Sequence, residues 1–252
     1  MKTGRDLTKC LAFIGCQLNP AARQERHLAQ PGLHPAVTIS RQTGSGAMEI
    51  GQKLSDFLQA RIPGSCGWAV FDKNLVTKMI EDHNLPKRLA EFLPEDRISR
   101  IKDMMEEVLG LHPPSDTLIH QISETVVHLA ELGHVILVGR AAHVITRQAQ
   151  NVFHVRLIAP MEKRQAQVMA RRQMDPEAAL DFIKKEDAAR KHYLKAYFQA
   201  DPDDDLLYDL VINTARFSPE EAATLIGEAV LAWAKRPGRD LVETSANEHR
   251  KP

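Results

Sequence analysis

The chain has no excess of charge of either sign: 33 Lys and Arg are balanced by 33 Asp and Glu, for a net charge of zero. Without a global field it has no long-range means of gathering nucleic acid or an anionic membrane, so any anion site must be local. Cysteine is scarce as well. Cys10, Cys16 and Cys66 form no CxxC pair and are too few for a disulfide framework in 252 residues, which points to a reducing cytoplasm. No apolar run reaches the roughly 18 residues a membrane-spanning helix needs. Internal repeats and low-complexity tracts are absent. His112, His120 and His128 recur without the i, i+4 spacing or the third ligand of a zinc site, so no metal ligand set is visible. Ser45 has no nucleophile-elbow context, and no Cys/His arrangement suggests covalent catalysis.

What the chain does have is one pronounced phosphate-loop layout. The β-branched run from Ala36 to Ser40 breaks at Gly44-Ser45-Gly46 and then enters a helical pattern through Ile50, Leu54, Phe57 and Leu58. Glycines let the backbone curl until several N–H groups face one anion, and the following helix adds the positive end of its dipole. The stretch nevertheless departs from the G-x-x-x-x-G-K-[ST] loop. With Gly46 as the second glycine, Arg41 stands at the first, Ala47 at the lysine and Met48 at the hydroxyl.

The rest of the pattern alternates. Strands are expected at Trp68 to Phe71, Val135 to Val138, Val152 to Ile158 and Leu210 to Ile212. Helices are expected at 75–80, 95–109, 116–132, 162–172 and 176–198. Ser218-Pro-Glu-Glu221 reads as a capping box opening a last helix that runs to about Ala234. Alternation of this kind implies an α/β fold with a mostly parallel sheet covered by helices on both faces, and ligands at the carboxyl ends of the strands. The glycine loop and Gly139-Arg140 both follow strands. Residues 1–35, with Pro20, Pro31 and Pro35, are expected to be a disordered extension, and residues 237–252 a flexible tail. The apolar Leu11 to Ile14 is too short for a signal peptide. One domain, 36–236, is expected between these ends, with a helical insertion at about 72–132 and a lid at about 173–200.

Six segments, taken in order, resemble the cytidylate kinase-like family, a divergent branch of the nucleoside monophosphate kinases. They are Ile39-Ser-Arg-Gln-Thr-Gly-Ser-Gly46, Phe71-Asp72-Lys73, Val138-Gly-Arg140, Val155 to Pro160 with Arg164, Asp187 with Arg190, and Tyr208 to Thr214. The resemblance spans about Ala36 to Ala234. It implies a P-loop kinase-like three-layer fold of about five parallel strands, and transfer of the γ-phosphoryl group of ATP, with Mg²⁺, to a nucleoside monophosphate or similar small acceptor in the cytoplasm.

Phosphoryl transfer asks a protein mainly for position and positive charge. Gly44, Ser45 and Gly46 are the candidates for cradling donor phosphates, with Ser45 as a hydroxyl donor or a turn residue. Arg41 either supplies charge that Ala47 lacks or braces the loop against a carboxylate. Arg140 is the candidate for the acceptor phosphate, since a guanidinium binds phosphate bidentately; Val138 and Ala141 replace both acids of the family's Asp-Gly-Arg-Asp segment. Asp72 and Lys73 are acceptor-side candidates, Asp72 also being a plausible helix cap. Asp187 and Arg190 match the lid motif, and Lys184 and Lys185 are expected to add lid cations, whereas Ile183 and Glu186 stand where further lid arginines are expected. Arg164, Arg171 and Arg172 form a second basic cluster. Two other readings fit the missing lysine and hydroxyl: a nucleotide-binding protein without transfer chemistry, or a scaffold.

Overall fold

The computed structural model describes residues 2–17, 34–62, 66–72 and 117–235. Within them lie five strands: β1 (Ala36–Arg41), β2 (Ala69–Asp72), β3 (Val135–Val138), β4 (Val152–Ile158) and β5 (Leu210–Asn213). The helices used below are α1 (Lys2–Gln17), α2 (Ala47–Arg61), α3 (Thr117–Leu132), α4 (Ala142–Ile145), α5 (Met161–Arg172), α6 (Pro176–Phe198) and α7 (Pro219–Ala234). The expected helices at 75–80 and 95–109, most of the expected insertion, Lys73 and the tail at 237–252 lie outside the described residues.

All strand pairs are parallel, in the order β2-β3-β1-β4-β5. Strand β1 is therefore central, with β3 on one side and β4 on the other. Alternation along β1 divides its side chains between two cores. Val37 and Ile39 join Leu54, Ile136, Val155 and Ile226 under α2 and α7, whereas Ala36 joins Phe71, Leu129 and Leu137 on the opposite face. Four-residue β3 is buried at every position, as a strand covered on both faces requires. The chain works first on the β2/β3 side and then crosses to β4 and β5, so the carboxyl end of β1 is the switch point where such sheets bind ligands.

Local signals set several boundaries. Ser218 Oγ accepts from Glu221 N–H and the Glu221 carboxylate accepts from Ser218 N–H, so the capping box opens α7 with Pro219 in its first turn. Gly133, at φ 70°, follows the last residue of α3. The part of the expected insertion that is described, residues 117–132, is helix α3. It buries Ile122, Val126 and Leu129 against the sheet, so it belongs to the core and not to an excursion.

The amino-terminal segment departs from the sequence reading. Residues 2–17 form α1, which buries Cys10, Phe13 and Ile14. The Cys10 thiol reaches Val70 O at 3.3 Å, and the Phe13 ring meets Phe71 edge-on at 6.0 Å, so α1 covers β2 at the sheet edge. Cys16 is bonded to Cys66 across 50 residues of sequence. The cysteine count predicts no such bridge because spacing carries no information on which distant segments meet. Closing a loop of that length is expected to contribute about 2–4 kcal/mol. Cys16→Ser should therefore lower the melting temperature measured without reductant, and dithiothreitol should bring the unmodified protein to the same value.

Candidate active site

At the end of β1 the loop is held from outside and left open within. Gln42 N–H donates to Leu157 O, and Gln42 Oε1 accepts from Ala159 N–H at 3.0 Å. Ser45 Oγ donates to Gln42 O at 2.9 Å, so its one hydroxyl proton closes the loop. Gly46, at φ 85°, is the N-cap of α2 with no side-chain cap. Among the described residues the N–H groups of Gly44, Gly46 and Ala47 make no hydrogen bond. Orphan donors at a helix start are the kind of group that can meet an anion. Gly44 has a second constraint, because a Cβ there would run into the Arg164 backbone of α5.

Helix α6 is tied to this loop by Asp187. Its Oδ1 accepts from Thr43 N–H at 2.8 Å and from Thr43 Oγ1 at 2.7 Å, while Oδ2 accepts from buried Arg164 at 2.6 Å. Arg190 NH1 lies 2.8 Å from the same Oδ1 and 2.7 Å from Thr43 Oγ1, and NH2 reaches Glu186 at 3.4 Å. With these donors on its oxygens, Asp187 ties α6 to the loop and to Arg164. Ile183, Asp187, Arg190 and Leu194 recur at helical spacing and form the inward face of α6. Lys184 and Lys185 fall outside that face, are exposed and line neither cavity described below, in contrast to their expected place among the lid cations.

Two cavities open at the strand ends. One, about 700 Å³, lies over the glycine loop and is walled by Asp72, Gln167, Arg171 and Phe182. The other, about 500 Å³, contains Arg140, Arg156, Lys191 and Tyr193. Arg41, Gln42, Glu186 and Arg190 line both. Asp72, expected on the acceptor side, is thus at the glycine-loop cavity.

Arg41 stands at this junction. Among the described residues its guanidinium makes no hydrogen bond or ion pair, and it rests on Gly139, where a Cβ would overlap it. Burial, and then the nearby charge of Arg190, lower its pKa to about 10, against the opposing pull of Asp72 and Glu186, so it is charged at neutral pH. The turn carrying Arg140 is itself strained: Gly139, Arg140 and Ala141 have φ of 90°, 57° and 56°. Gly139→Ala should cost about 1–2 kcal/mol through its positive φ. It should also displace Arg41, so a thermal melt and a turnover assay should both register it.

The floor of the Arg140 cavity is polar and was not legible beforehand. Arg156 on β4 is buried; it donates to Ser40 Oγ at 2.9 Å and pairs with Asp203 at 3.2 Å, which Lys191 also holds at 2.9 Å. Tyr208 OH donates to Ser40 Oγ at 3.2 Å, and its ring stacks on His143 with centroids 5.0 Å apart. Burial, then the charges of His154, Arg156 and Arg41, push the His143 pKa down to about 3, so its ring is neutral. In the sequence, Val155-Arg-Leu reads as a strand within one of the family-like segments, and its arginine is given no role there.

Five parallel strands in this order, with a glycine loop after the central one, define a P-loop kinase-like fold. The chain belongs to the cytidylate kinase-like family, whose sequence profile matches residues 36–216. It is 25% identical to the cytidylate kinase of Methanocaldococcus jannaschii over 158 residues, 62% of this chain and 89% of that one. It is 28% identical to the cytidylate kinase of Pyrococcus horikoshii over 195 residues, 77% of this chain and 87% of that one. An uncharacterized protein from Eubacterium ventriosum shares the fold with a TM-score of 0.53 at 19% identity, over 79% of this chain and 99% of that one. Helix α1 and Cys16 lie outside the matched segment. No helix among the described residues is long and apolar enough to cross a membrane.

Proposed function

We propose that this protein is a phosphotransferase that moves the γ-phosphoryl group of ATP to a nucleoside monophosphate or a similarly small acceptor. The observation that carries this reading is Arg41, without a partner among the described residues, in the wall shared by the two cavities, with Arg190 beside it. Donor phosphates rest on the N–H groups of Gly44, Gly46 and Ala47. The acceptor phosphate meets Arg140 in the second cavity. The group in transit passes between them, where Arg41 and Arg190 neutralise charge that develops on its oxygens. Asp187 holds Arg190 and the loop in register.

Mg²⁺ belongs to this scheme as part of the MgATP substrate. Met48 offers it no oxygen, and no group of three or more metal-ligating side chains occurs among the described residues. Asp72 and Glu186 line the glycine-loop cavity and are the carboxylates placed to hold water on a phosphate-borne cation. ATP and such acceptors are cytoplasmic solutes, so this reading favours the cytoplasm, where the Cys16–Cys66 bridge would be within reach of cellular thiols.

Ala47 and Met48 favour a second reading, a protein that binds nucleotide without transferring phosphate. ADP formation separates the two. Purified protein with MgATP should release ADP only when an acceptor is added. Cytidylate is the first to try, because the matched relatives are cytidylate kinases; the other nucleoside monophosphates follow, because Val138 and Ala141 offer no carboxylate to a sugar or cytosine. Calorimetric binding of ATP with no turnover on any acceptor would establish the second reading.

A further inference from the structure

The glycine loop lacks its lysine, yet a cation of different origin already faces it. Arg171, in the last turn of α5, lines the same cavity as Gly46, Ala47 and Met48. Its neighbour Arg172 is committed to the face of Phe182, with 4.2 Å from guanidinium to ring centroid. Arg171, in the same cavity wall as Arg172, donates instead to Glu49 Oε2 at 2.7 Å. Glu49 occupies the first turn of α2, immediately beyond the loop. Both side chains are about half exposed, at 47% and 44%, so the pair is hydrated and easily exchanged.

The position of Glu49 gives this pair a meaning beyond surface decoration. In the free protein a carboxylate in the first turn is favoured by the helix dipole. A polyphosphate on the loop N–H groups would compete for the same positive end and would repel that carboxylate. A guanidinium that can serve either anion removes the conflict, and its fork geometry suits phosphate at least as well as carboxylate.

We propose that Glu49 is an internal competitor for the donor phosphates: it parks Arg171 over the empty loop and yields it when nucleotide binds. The pair thereby fastens the tip of α5 to α2 in the free protein and passes its cation to the nucleotide. The proposal rests on the phosphotransferase reading only in naming the donor as a nucleoside triphosphate. It assigns Arg171 to donor affinity and leaves Arg41 to the transfer step, and the two roles are separable by experiment.

The test is calorimetric titration of ATP, ADP and AMP into the full chain and its variants at two salt concentrations. Arg171→Ala should weaken ATP about tenfold or more and AMP much less, and should flatten the salt dependence of ATP binding. Glu49→Gln should tighten ATP about threefold to tenfold, and that gain should vanish in the Arg171→Ala background, as a double-mutant cycle requires of coupled groups. Glu49→Asp should restore the affinity of the unmodified protein. ATP affinity unchanged within twofold in both single variants would reduce the pair to a surface ion pair and overturn the proposal, with the kinase reading intact. Weaker binding on Glu49→Gln would overturn it too, since Glu49 would then support the bound complex. Failure of the unmodified protein to bind any nucleotide would overturn the kinase reading itself.

Discussion

Arg41→Ala is expected to lower turnover by about 10²–10³-fold while leaving ATP affinity within a few-fold. The split follows from geometry. In the proposed scheme donor phosphates rest on the backbone N–H groups of Gly44, Gly46 and Ala47, none of which the substitution removes. The lost guanidinium lies where the two cavities meet, so its absence is felt when charge moves between them. A stability measurement adds an independent check. Arg41 makes no ion pair among the described residues, and burial and then the charge of Arg190 lower its pKa to about 10 against the pull of Asp72 and Glu186. Removing a cation from such a place relieves repulsion, so the variant should melt no lower than the unmodified protein. An arginine that merely braced the loop would give the opposite pair of results: normal turnover per folded molecule and a lower melting temperature. Arg41→Lys should recover part of the rate, because the charge returns without the planar fork.

Acid should unfold the protein well before its carboxylates titrate. Burial, the leading cause in each case, lowers the pKa of His128 to about 4, of His154 to about 4 and of His143 to about 3. Their unfolded value is near 6.5. Below that value the unfolded chain takes up protons that the folded protein refuses, so stability is fully present above about pH 6.5 and is lost as pH falls toward the folded values. Each histidine gives a slope of at most about 1.4 kcal/mol per pH unit in that window. Glu124, whose carboxyl is pushed up by burial, works against them with a single proton. Urea titrations from pH 8 to pH 4 should show a plateau and then a steep decline beginning near pH 6.5. His143→Phe, which keeps a ring against Tyr208, should flatten the decline by one histidine's share. A midpoint constant down to pH 4 would mean that these rings are not held neutral.

The parts of the site legible in the sequence are those that one chain segment builds alone. Strand, glycines and helix from 36 to 61 follow from β-branching, Gly44 and Gly46, and helical period, and the Ser218 capping box closes within four residues. Arg41 is legible from its place in the loop ahead of the glycines and Arg140 from following Gly139 at a strand end, and the structure brings both to one cavity. The parts that were not legible are made by segments far apart. Asp187 reaches Thr43 across 144 residues, Arg156 reaches Ser40 across 116, and Cys16 meets Cys66 across 50. Helix α1 is not legible because Pro20, Pro31 and Pro35, which suggest a loose extension, all lie beyond Gln17 and the apolar run Leu11 to Ile14 is short; the hydrophobic surface of β2 supplies what the segment lacks. Charge alone suggests Lys184 and Lys185 as lid cations, whereas the helical phase set by Ile183, Asp187 and Leu194 turns them to solvent.

The central claim is that a phosphoryl group crosses from the glycine-loop cavity to the Arg140 cavity past Arg41. A single-turnover experiment with γ-labelled ATP and a panel of nucleoside monophosphates tests it most directly. The account predicts label covalently attached to one acceptor by the unmodified protein, and none in the same time with Arg41→Ala even though that variant binds ATP. Label that stays on ATP or appears only as inorganic phosphate with every acceptor, despite bound nucleotide, would contradict it.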